Sequence, residues 1–557
     1  MKTKIVNKLK FMALGGVDDI NRNCYVIEYG KDIVVMDMGF SFPDDSLYGV
    51  DYLIPDVEYL RRRKERIAGI VLSHAHMDHI GAIPYVIEKL GFPMIYGRQF
   101  TILLLKEKLK EFGLENKVKT KIVKENEDIH LRSMTARLIP VTHSIPQSSS
   151  ILVKTPGGNI IYSGDFKFDD NPVNEAKPNY ETYEKIGKEG IDLACIDSTN
   201  IYLEGKSKSE TEIAGILDRI VKNAKGRVIA STFSSLGTRL YSLIEIAKKY
   251  NRKVAVTGRS MKNMLVLLRQ IGYIKAGDNL FISDKSVKSV PDEKLLILTT
   301  GTQGEEMAAL SRIARNEHND IKIKETDTVV LSSSVIPGNQ VMVQHLIDDL
   351  IKLGARVIHQ SFMDVHTSGH GYQEDIKKML QLVKPKYAMP VHGWPSFIHE
   401  AAFQYNRWGM KRKNILIPET GRFFIKEEKD GRWIKTDKIE CKDVCVEGIS
   451  ITDAGKALIE ERAQLANFGV LLLSFQLDKG GRIIGEVRVN ARGFVYLHEN
   501  VVLIKKIQNN VNEVVAEWRK IDKRSIKKLK IVISKSISKL VDREVNKKPV
   551  ITIEVFD

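Results

Sequence analysis

The segment AGIVLSHAHMDHIG, residues 68–81, constrains the fold more than any other stretch of the chain. Its apolar first half is typical of a buried strand. Four side chains that can bind metal follow at once: His74, His76, Asp78 and His79. Residues two apart on an extended chain point to the same side, so His74 and His76 can face one ion, while the pair on the turn faces a neighbouring position. The pattern predicts a metal centre rather than an ordinary polar turn.

Further candidate ligands also follow apolar strands. His143 comes after ARLIPVT, Asp165 ends NIIYSGD and His392 ends YAMPVH. Asp165 is suited to bridging two cations, because a carboxylate has two oxygens where an imidazole has one free nitrogen. Asp37, in IVVMDMG, is predicted to accept a hydrogen bond that orients a ligand histidine. Histidines without such a context are predicted to be surface or core residues: His130, His318, His345, His359, His399 and His498.

The order of apolar segments predicts an α/β protein of several domains. The first 50 residues contain short strand patterns between glycine turns. Past about residue 205, helix and strand patterns alternate, which favours βαβ units and a parallel sheet with ligand-binding loops at the carboxyl ends of its strands. A charged stretch, KEEKDGRWIKTDK at 426–438, indicates the approach to a linker before a final α/β unit.

The charge balance favours a polyanionic partner. Lysine and arginine number 86 against 70 aspartates and glutamates, which leaves a formal charge of +16. No apolar run is long enough to span a bilayer and no secretory signal is recognisable, so no membrane contact and a cytoplasmic location are expected. Four scattered cysteines fit a reducing compartment.

Three motifs far from the first one indicate a family. DST at 197–199, HTSGH at 366–370 and PVHG at 390–393, together with HAHMDH, resemble the signatures of the β-CASP nucleases of the metallo-β-lactamase superfamily. VTHSIPQS, AVTGRSM and ILTTGTQGEEMAALSRIA narrow the resemblance to the ribonuclease J family, and it extends over essentially the whole chain.

The resemblance implies an α/β architecture: a metallo-β-lactamase αββα sandwich with an inserted β-CASP α/β domain and a small C-terminal α/β domain. The expected boundaries are a lactamase domain over 1–207 and 353–425, the β-CASP insert over 208–352, a linker over 426–449 and an oligomerisation domain over 450–557.

The resemblance also implies two Zn²⁺ ions per subunit, with other divalent cations as alternatives. One ion would be held by His74, His76 and His143, the other by Asp78, His79 and His392, with Asp165 shared. A hydroxide held between the ions would attack the phosphodiester. Catalytic roles are implied for Asp78, which steers a proton, for His370, which stabilises charge or protonates the leaving group, and for Asp197, which hydrogen-bonds beside them.

The family's substrate is RNA, preferably with a 5′-monophosphate, degraded from the 5′ end and also cleaved internally, in RNA decay and in rRNA and mRNA 5′-end maturation. The implied phosphate-binding residues are His366, Thr367, Ser368, Gly369, His370 and Ser235. The sequence departs from the family where it has Leu236 and Thr238 in place of an Asn and a His. The C-terminal unit implies a homodimer or homotetramer.

Three other functions are compatible with parts of this pattern. A small-molecule hydrolase of the lactamase type would share the metal motifs, but it would not need the insert of about 150 residues or the HTSGH loop. A DNA-directed β-CASP nuclease would use the same metal chemistry. A non-catalytic RNA-binding subunit would be expected to lack metal ligands, and none is missing here.

Overall fold

The computed structural model describes residues 7–44, 46–336, 338–452, 456–495, 500–521 and 525–556. The chain forms two compact units, one over Met1–Ser41 and Ile54–Asp443, the other over Phe42–Leu53 and Val444–Asp557. Within the described ranges, no helix combines the length and the apolar character needed to cross a bilayer.

The chain before the insert is rich in strands. In order, its elements are β1 (Leu9–Gly15), β2 (Cys24–Tyr29), β3 (Asp32–Met36), β4 (Tyr52–Ile54), α1 (Glu58–Arg61), β5 (Ile67–Val71), α2 (Met77–Ile80), α3 (Ile83–Val86), β6 (Ile95–Gly97), α4 (Gln99–Glu111), β7 (Thr120–Ile122), β8 (Asp128–Leu131), β9 (Met134–Pro140), β10 (Ser149–Thr155), β11 (Gly158–Tyr162), α5 (Tyr180–Glu189) and β12 (Leu193–Asp197).

Helix and strand then alternate, as the sequence predicts. The insert contains α6 (Glu210–Asn223), β13 (Val228–Ser231), α7 (Gly237–Lys249), β14 (Lys253–Val256), α8 (Arg259–Gln270), β15 (Phe281–Ile282), β16 (Leu295–Thr299), α9 (Ala309–Ala314), β17 (Thr328–Leu331), α10 (Gln340–Lys352) and β18 (Arg356–Ile358). The chain returns through α11 (Gln373–Val383), β19 (Tyr387–Val391), α12 (Pro395–Arg407), β20 (Arg422–Lys426) and β21 (Trp433–Lys438).

Two sheets packed face to face form the core of the first unit. Their strand orders are β21-β20-β1-β2-β3-β5-β6-β7 and β19-β12-β11-β10-β9-β8. Buried side chains of both sheets meet in one apolar cluster, with Phe11 and Val34 from the first and Leu138 and Ile151 from the second. Helices α5, α11 and α12 cover the outer face of the second sheet, and α4 lies against β6 and β7 of the first. This is the expected αββα sandwich.

The insert is a parallel sheet with helices on both faces. Its strand order is β15-β14-β16-β13-β17-β18, and every pairing in it is parallel. Apolar residues of α6, α7 and α8 pack on one face, and residues of α9 and α10 pack on the other. Because both faces are covered, the strands are continuous apolar runs such as LLILT, 295–299, rather than alternating ones.

Two local expectations differ from the structure. The apolar spacing after the polar turn of the metal motif predicts one amphipathic helix closed by Gly91, but the structure has two helices of four residues each: α2, within the motif, and α3 after it. A Cβ at Gly81, between the two helices, would lie 2.3 Å from Phe40 Cδ1, so the Phe40 ring packs closely against the backbone at this break. The second difference lies in 426–449, predicted as a linker. There β21 forms the edge of the first sheet and buries Trp433. The sequence does not separate the two cases, because lysine-rich alternation is typical of an edge strand as well as of a linker. The domain boundaries stay a prediction.

The second unit is a small α/β domain. It contains β4, β22 (Val444–Glu447), β23 (Ser450–Thr452), α13 (Lys456–Phe468), β24 (Val470–Leu477), β25 (Ile483–Arg492), α14 (Val501–Ile521), α15 (Ile526–Val545) and β26 (Val550–Phe556). One sheet has the order β25-β24-β26, the other β23-β22-β4. Alternate residues of β24, Leu471, Leu473 and Phe475, are buried against α14 and α15, which explains the apolar stripe on each helix.

Candidate metal centre

Three histidine nitrogens converge on one point beside Asp165. His76 Nδ1 lies 3.1 Å from His74 Nε2 and 3.1 Å from His143 Nε2. Asp165 Oδ2 lies 3.5 Å from His74 Nε2 and 3.8 Å from His143 Nε2. Three nitrogen lone pairs directed at one another repel unless a cation lies between them, so this donor set fits a metal ion.

A second cluster adjoins the first and shares Asp165 with it. His79 Nε2 lies 3.2 Å from both Asp78 Oδ2 and Asp165 Oδ2. His392 Nε2 lies 3.3 Å from Asp78 Oδ2 and 3.3 Å from Asp165 Oδ1. Asp165 Oδ1 is buried and accepts no hydrogen bond from the residues that the structure describes, so it keeps lone pairs for a cation. In each cluster the donor atoms all lie within 4.8 Å of one another.

The topology explains why residues so distant in sequence meet. His74 follows β5, Asp165 follows β11 and His392 follows β19, each within three residues of the strand's end. Strands β11, β12 and β19 are parallel neighbours, so their carboxyl ends lie at one edge of the second sheet. Strands β3 and β5 are parallel in the first sheet. The centre therefore lies where the carboxyl ends of both sets of strands meet.

Hydrogen bonds fix four of the imidazoles so that each presents Nε2 to the clusters. Nδ1 of His79 donates to Asp37 Oδ2 at 2.8 Å, and Nδ1 of His143 donates to the Gly369 carbonyl at 2.7 Å. Nδ1 of His74 contacts Ser73 Oγ at 3.0 Å, and Nδ1 of His392 contacts Thr199 Oγ1 at 2.7 Å. Such outer contacts select the tautomer and orientation that metal binding needs.

Electrostatics keep the acids ionised and the first cluster neutral. Burial would raise the pKa of Asp165, but the surrounding His392, His79 and His74 hold that pKa well below its usual range. Burial lowers the pKa of His74 and His143 well below the ordinary value and lowers that of His76 to about 4. Neutral imidazole and carboxylate are the forms that bind metal.

A hydrogen-bonded pair stands at the open edge of the centre. His370 Nδ1 donates to Asp197 Oδ2 at 2.7 Å, and His370 Nε2 lies 3.9 Å from Asp165 Oδ2. Although burial opposes it, the charges of Asp197 and Asp165 raise the pKa of His370 to about 9. These two carboxylates favour the protonated form of His370, next to both clusters.

Four family models match successive segments of the chain. The family models that match are "Metallo-beta-lactamase superfamily" over residues 17–203, "Ribonuclease J, beta-CASP domain" over 225–350, "Zn-dependent metallo-hydrolase RNA specificity domain" over 355–404 and "Ribonuclease J C-terminal domain" over 457–557.

Relatives match over nearly the full length. The chain is 35% identical to ribonuclease J of Synechocystis sp., over 98% of this chain and 86% of that protein. It is 35% identical to ribonuclease J2 of Bacillus subtilis over 99% of both chains, and 39% identical to ribonuclease J of Helicobacter pylori over 90% of this chain and 73% of that one. The chain belongs to the ribonuclease J family.

Membership of the ribonuclease J family makes the chain a metal-dependent ribonuclease, and the two His/Asp clusters are its candidate site for divalent cations. A crystal structure of a protein of unknown function from Enterococcus faecalis shares the fold, with a TM-score of 0.55 and 16% identity over 75% of this chain and 100% of that chain.

The ribonuclease J resemblance implies the HTSGH loop, 366–370, for phosphate binding. Its first two residues and its last three lie in different surroundings. Ser368 Oγ accepts from Asn200 Nδ2 at 2.8 Å, and together with Gly369 and His370 it adjoins the metal centre. Thr367 Oγ1 donates to the Lys208 carbonyl. His366 is buried near Arg239, and its Nδ1 has no hydrogen-bond partner among the described residues.

The remaining predicted phosphate-site residue, Ser235, lies half-buried in the turn before α7, where its carbonyl accepts from Gly237 N. Leu236 and Thr238, the departures from the ribonuclease J pattern, are buried at 4% and 2% exposure, so neither side chain is presented to solvent. The phosphate-binding residues stay a prediction.

Three residues of the centre escape sequence reasoning. Ser73 links Asp37 to His74, Thr199 links Asp197 to His392, and Asn23 Nδ2 donates to the Asp78 carbonyl at 3.2 Å. Their sequence signals are slight: Ser73 precedes a predicted ligand, Asn23 precedes β2, and Thr199 ends the DST motif without a role assigned to it. Among the other histidines, His130, His345 and His399 are exposed, His359 is half-buried, His318 is buried beside Thr257, and His498 lies outside the described residues.

Proposed function

We propose that this protein is a dizinc ribonuclease that degrades RNA from the 5′ end, with additional endonucleolytic cleavage, in RNA decay and in rRNA and mRNA 5′-end maturation. The observation that carries the proposal is the pair of His/Asp clusters sharing Asp165, with the His370–Asp197 pair at their edge. Two adjacent clusters fit the two-metal chemistry of phosphodiester hydrolysis.

The residues of the centre have different proposed roles. His74, His76 and His143 would hold one Zn²⁺, Asp78, His79 and His392 would hold the other, and Asp165 would contribute to both. Such ions would lower the pKa of a water molecule and neutralise charge on the phosphoryl oxygens. Asp78, whose side chain is 22% exposed, accepts the proton of the attacking water.

His370 is assigned to the oxygens of the scissile phosphate. Asp197 and Asp165 raise its pKa to about 9, which favours the protonated ring. That proton stabilises charge on a phosphoryl oxygen or passes to the leaving oxygen. Asp197 holds the ring through Nδ1, so that Nε2 faces the substrate.

Recognition of a 5′-monophosphate is proposed for the loop that begins with His366, together with Ser235. Hydroxyls, imidazoles and backbone N–H groups in turns are suited to binding phosphate. We further propose that the protein is cytoplasmic and that the C-terminal unit joins subunits into a homodimer or homotetramer.

The test compares end-labelled RNAs that carry a 5′-monophosphate, a 5′-triphosphate or a 5′-hydroxyl, with DNA of the same sequence beside them. The variants are Asp78→Ala/His79→Ala and a matched control, Asp128→Ala/His130→Ala, which alters an exposed acid and histidine on β8. We expect mononucleotide release, fastest from 5′-monophosphorylated RNA, for the wild type and the control. Chelation or the Asp78→Ala/His79→Ala change should abolish it.

Binding of RNA should survive the Asp78→Ala/His79→Ala change, because the chain keeps its excess of lysine and arginine when the two metal ligands are removed. If metal-replete wild type degrades none of the RNAs, the proposal is wrong. Faster hydrolysis of the DNA would replace RNA with DNA as the substrate, and equal rates for all three RNA ends would refute the 5′-monophosphate preference.

A further inference from the structure

Two large aromatic side chains beside the metal centre are open to solvent. Trp394 is 46% exposed and Tyr202 is 53% exposed. Aromatic side chains bury most of their surface in a folded protein, where they contribute strongly to its core. When an indole and a phenol both remain exposed next to an active centre, they are available to a ligand.

The positions of both residues follow from the strands that carry the centre. Trp394 comes two residues after His392, so their Cα atoms are at most about 7 Å apart. Tyr202 comes three residues after Thr199, whose hydroxyl contacts His392 Nδ1 at 2.7 Å. The two aromatic residues thus follow neighbouring parallel strands, β12 and β19, at the end where the metal ligands lie.

The loops that carry these rings are held in place. Tyr202 Oη donates to the Ser396 carbonyl at 3.2 Å, and its ring meets Phe397 edge-on with centroids 5.5 Å apart. A Cβ on Gly393 would lie 2.6 Å from Ser198 Oγ, so the turn before Trp394 fits tightly against the loop after β12. The Tyr202 ring and the backbone of the turn that carries Trp394 are therefore fixed in place.

We propose that Trp394 and Tyr202 form an aromatic platform on which a base of the RNA stacks while a neighbouring phosphate lies at the metal centre. The proposal rests on the proposed ribonuclease function. Aromatic rings bind single-stranded RNA by stacking, and every base has a flat face, so the contact tolerates any sequence. An enzyme that removes successive nucleotides needs such tolerance at each step.

Steady-state kinetics of the full-length, metal-loaded protein test the platform. The variants are Trp394→Ala, Trp394→Phe and a control, Phe403→Ala, which removes another exposed aromatic ring of α12. Trp394→Ala should raise KM for 5′-monophosphorylated RNA by about tenfold and leave kcat nearly unchanged. Trp394→Phe should recover most of the loss, and Phe403→Ala should behave like the wild type.

Substrates with one abasic nucleotide identify the stacked base. Moving the abasic position along the RNA should reveal one position at which the KM of wild type rises by about tenfold. At that position Trp394→Ala should raise KM no further. Tryptophan fluorescence gives an independent measurement on the non-cleaving Asp78→Ala/His79→Ala protein. RNA should quench its emission, and adding Trp394→Phe should remove most of the quenching although three other tryptophans remain.

The platform is refuted if wild type cleaves RNA and Trp394→Ala leaves KM unchanged, or if Phe403→Ala raises KM equally. Independent, multiplicative losses from the abasic site and from Trp394→Ala would also refute it. If wild type cleaves no RNA at all, the proposed function fails and the platform fails with it. If the platform alone is wrong, wild type still cleaves RNA, so the two failures are distinguishable.

Discussion

At the scale of single residues, Asp37 connects the two clusters. Its Oδ2 accepts from His79 Nδ1 at 2.8 Å and from Ser73 Oγ at 2.7 Å, while Ser73 Oγ lies 3.0 Å from His74 Nδ1. Asp37 itself has a left-handed backbone, with φ of 57°, directly after β3. One carboxylate therefore orients a ligand of each cluster.

Asp37→Asn should weaken metal binding by about 10- to 100-fold and leave the fold intact. An asparagine oxygen at the Oδ2 position can accept both hydrogen bonds there, but the NH₂ group then faces the Ser73 N–H, which donates to Asp37 Oδ1 at 2.8 Å. The measurement is the metal concentration that restores half of the RNA-cleaving activity after chelation. Asp128→Asn, at an exposed acid, is the control, and an Asp37→Asn midpoint equal to that of the control would contradict the role.

Sequence reasoning reaches ligand residues more easily than the residues that support them. The structure brings all seven predicted ligands together. They could be predicted because histidine and aspartate directly after apolar strands are rare enough to be informative. Asp37 was predicted to orient a ligand histidine from the same kind of context. Ser73 and Thr199 were missed, since hydroxyl residues at strand ends are common and their contacts depend on the tertiary fold.

At the scale of elements, the loop from His366 to Gly371 is packed tightly onto the centre. A Cβ on Gly369 would lie 2.7 Å from both Cε1 and Nδ1 of His143 and 2.9 Å from Ser144 Cβ. The same glycine's carbonyl accepts the hydrogen bond from His143 Nδ1. The loop therefore fixes a ligand of the first cluster through its backbone, with no space for a side chain.

Gly369→Ala should displace His143 and reduce the bound metal from two ions towards one per chain, because the steric conflict acts on a single cluster. Metal content after dialysis, measured by elemental analysis, checks the result. Gly215→Ala is the control, since nothing lies within 4 Å of a Cβ at that helical position. Full occupancy of both clusters in Gly369→Ala would show that the loop yields to the methyl group.

The main elements of the insert could be predicted, and the region after the metal motif could not. Alternating helix and strand patterns predict βαβ units and a parallel sheet there, as the structure has, but they do not predict the order of its strands. Between Met77 and Gly91 the apolar residues have helical spacing, but the helix is interrupted at Gly81, which packs against Phe40, and α3 begins with Pro84 in its first turn. Periodicity alone does not show this break, whose local signs are the glycine and the proline.

At the scale of the whole molecule, one buried acid makes stability depend on pH. Glu175 lies in the loop before α5, beside Gln147 and the Tyr273 region of the insert, in a cavity of about 210 Å³. Its Oε1 atom is buried and has no hydrogen-bond partner in the described parts of the chain. Burial raises the pKa of this carboxyl from 4.5 to about 8.

Glu175→Gln should make thermal stability less sensitive to alkaline pH. Because the folded-state pKa is raised, the acid's contribution to stability is complete below about pH 4.5 and is lost as pH rises through about 8. Melting temperatures at pH 5 and pH 9 measure the effect: the wild-type value should fall more than that of Glu175→Gln. Glu184→Gln, at an exposed acid on α5, should follow the wild type. Equal falls for all three proteins would contradict the prediction.

The order in which the chain supplies the second cluster has a consequence during protein synthesis. His392 follows β19, after the entire insert has been made. At about 5–20 residues per second, roughly 20–80 s pass before that residue is joined to the chain. Until then the second cluster lacks its His392 ligand, so a growing chain of fewer than 392 residues carries an incomplete metal centre.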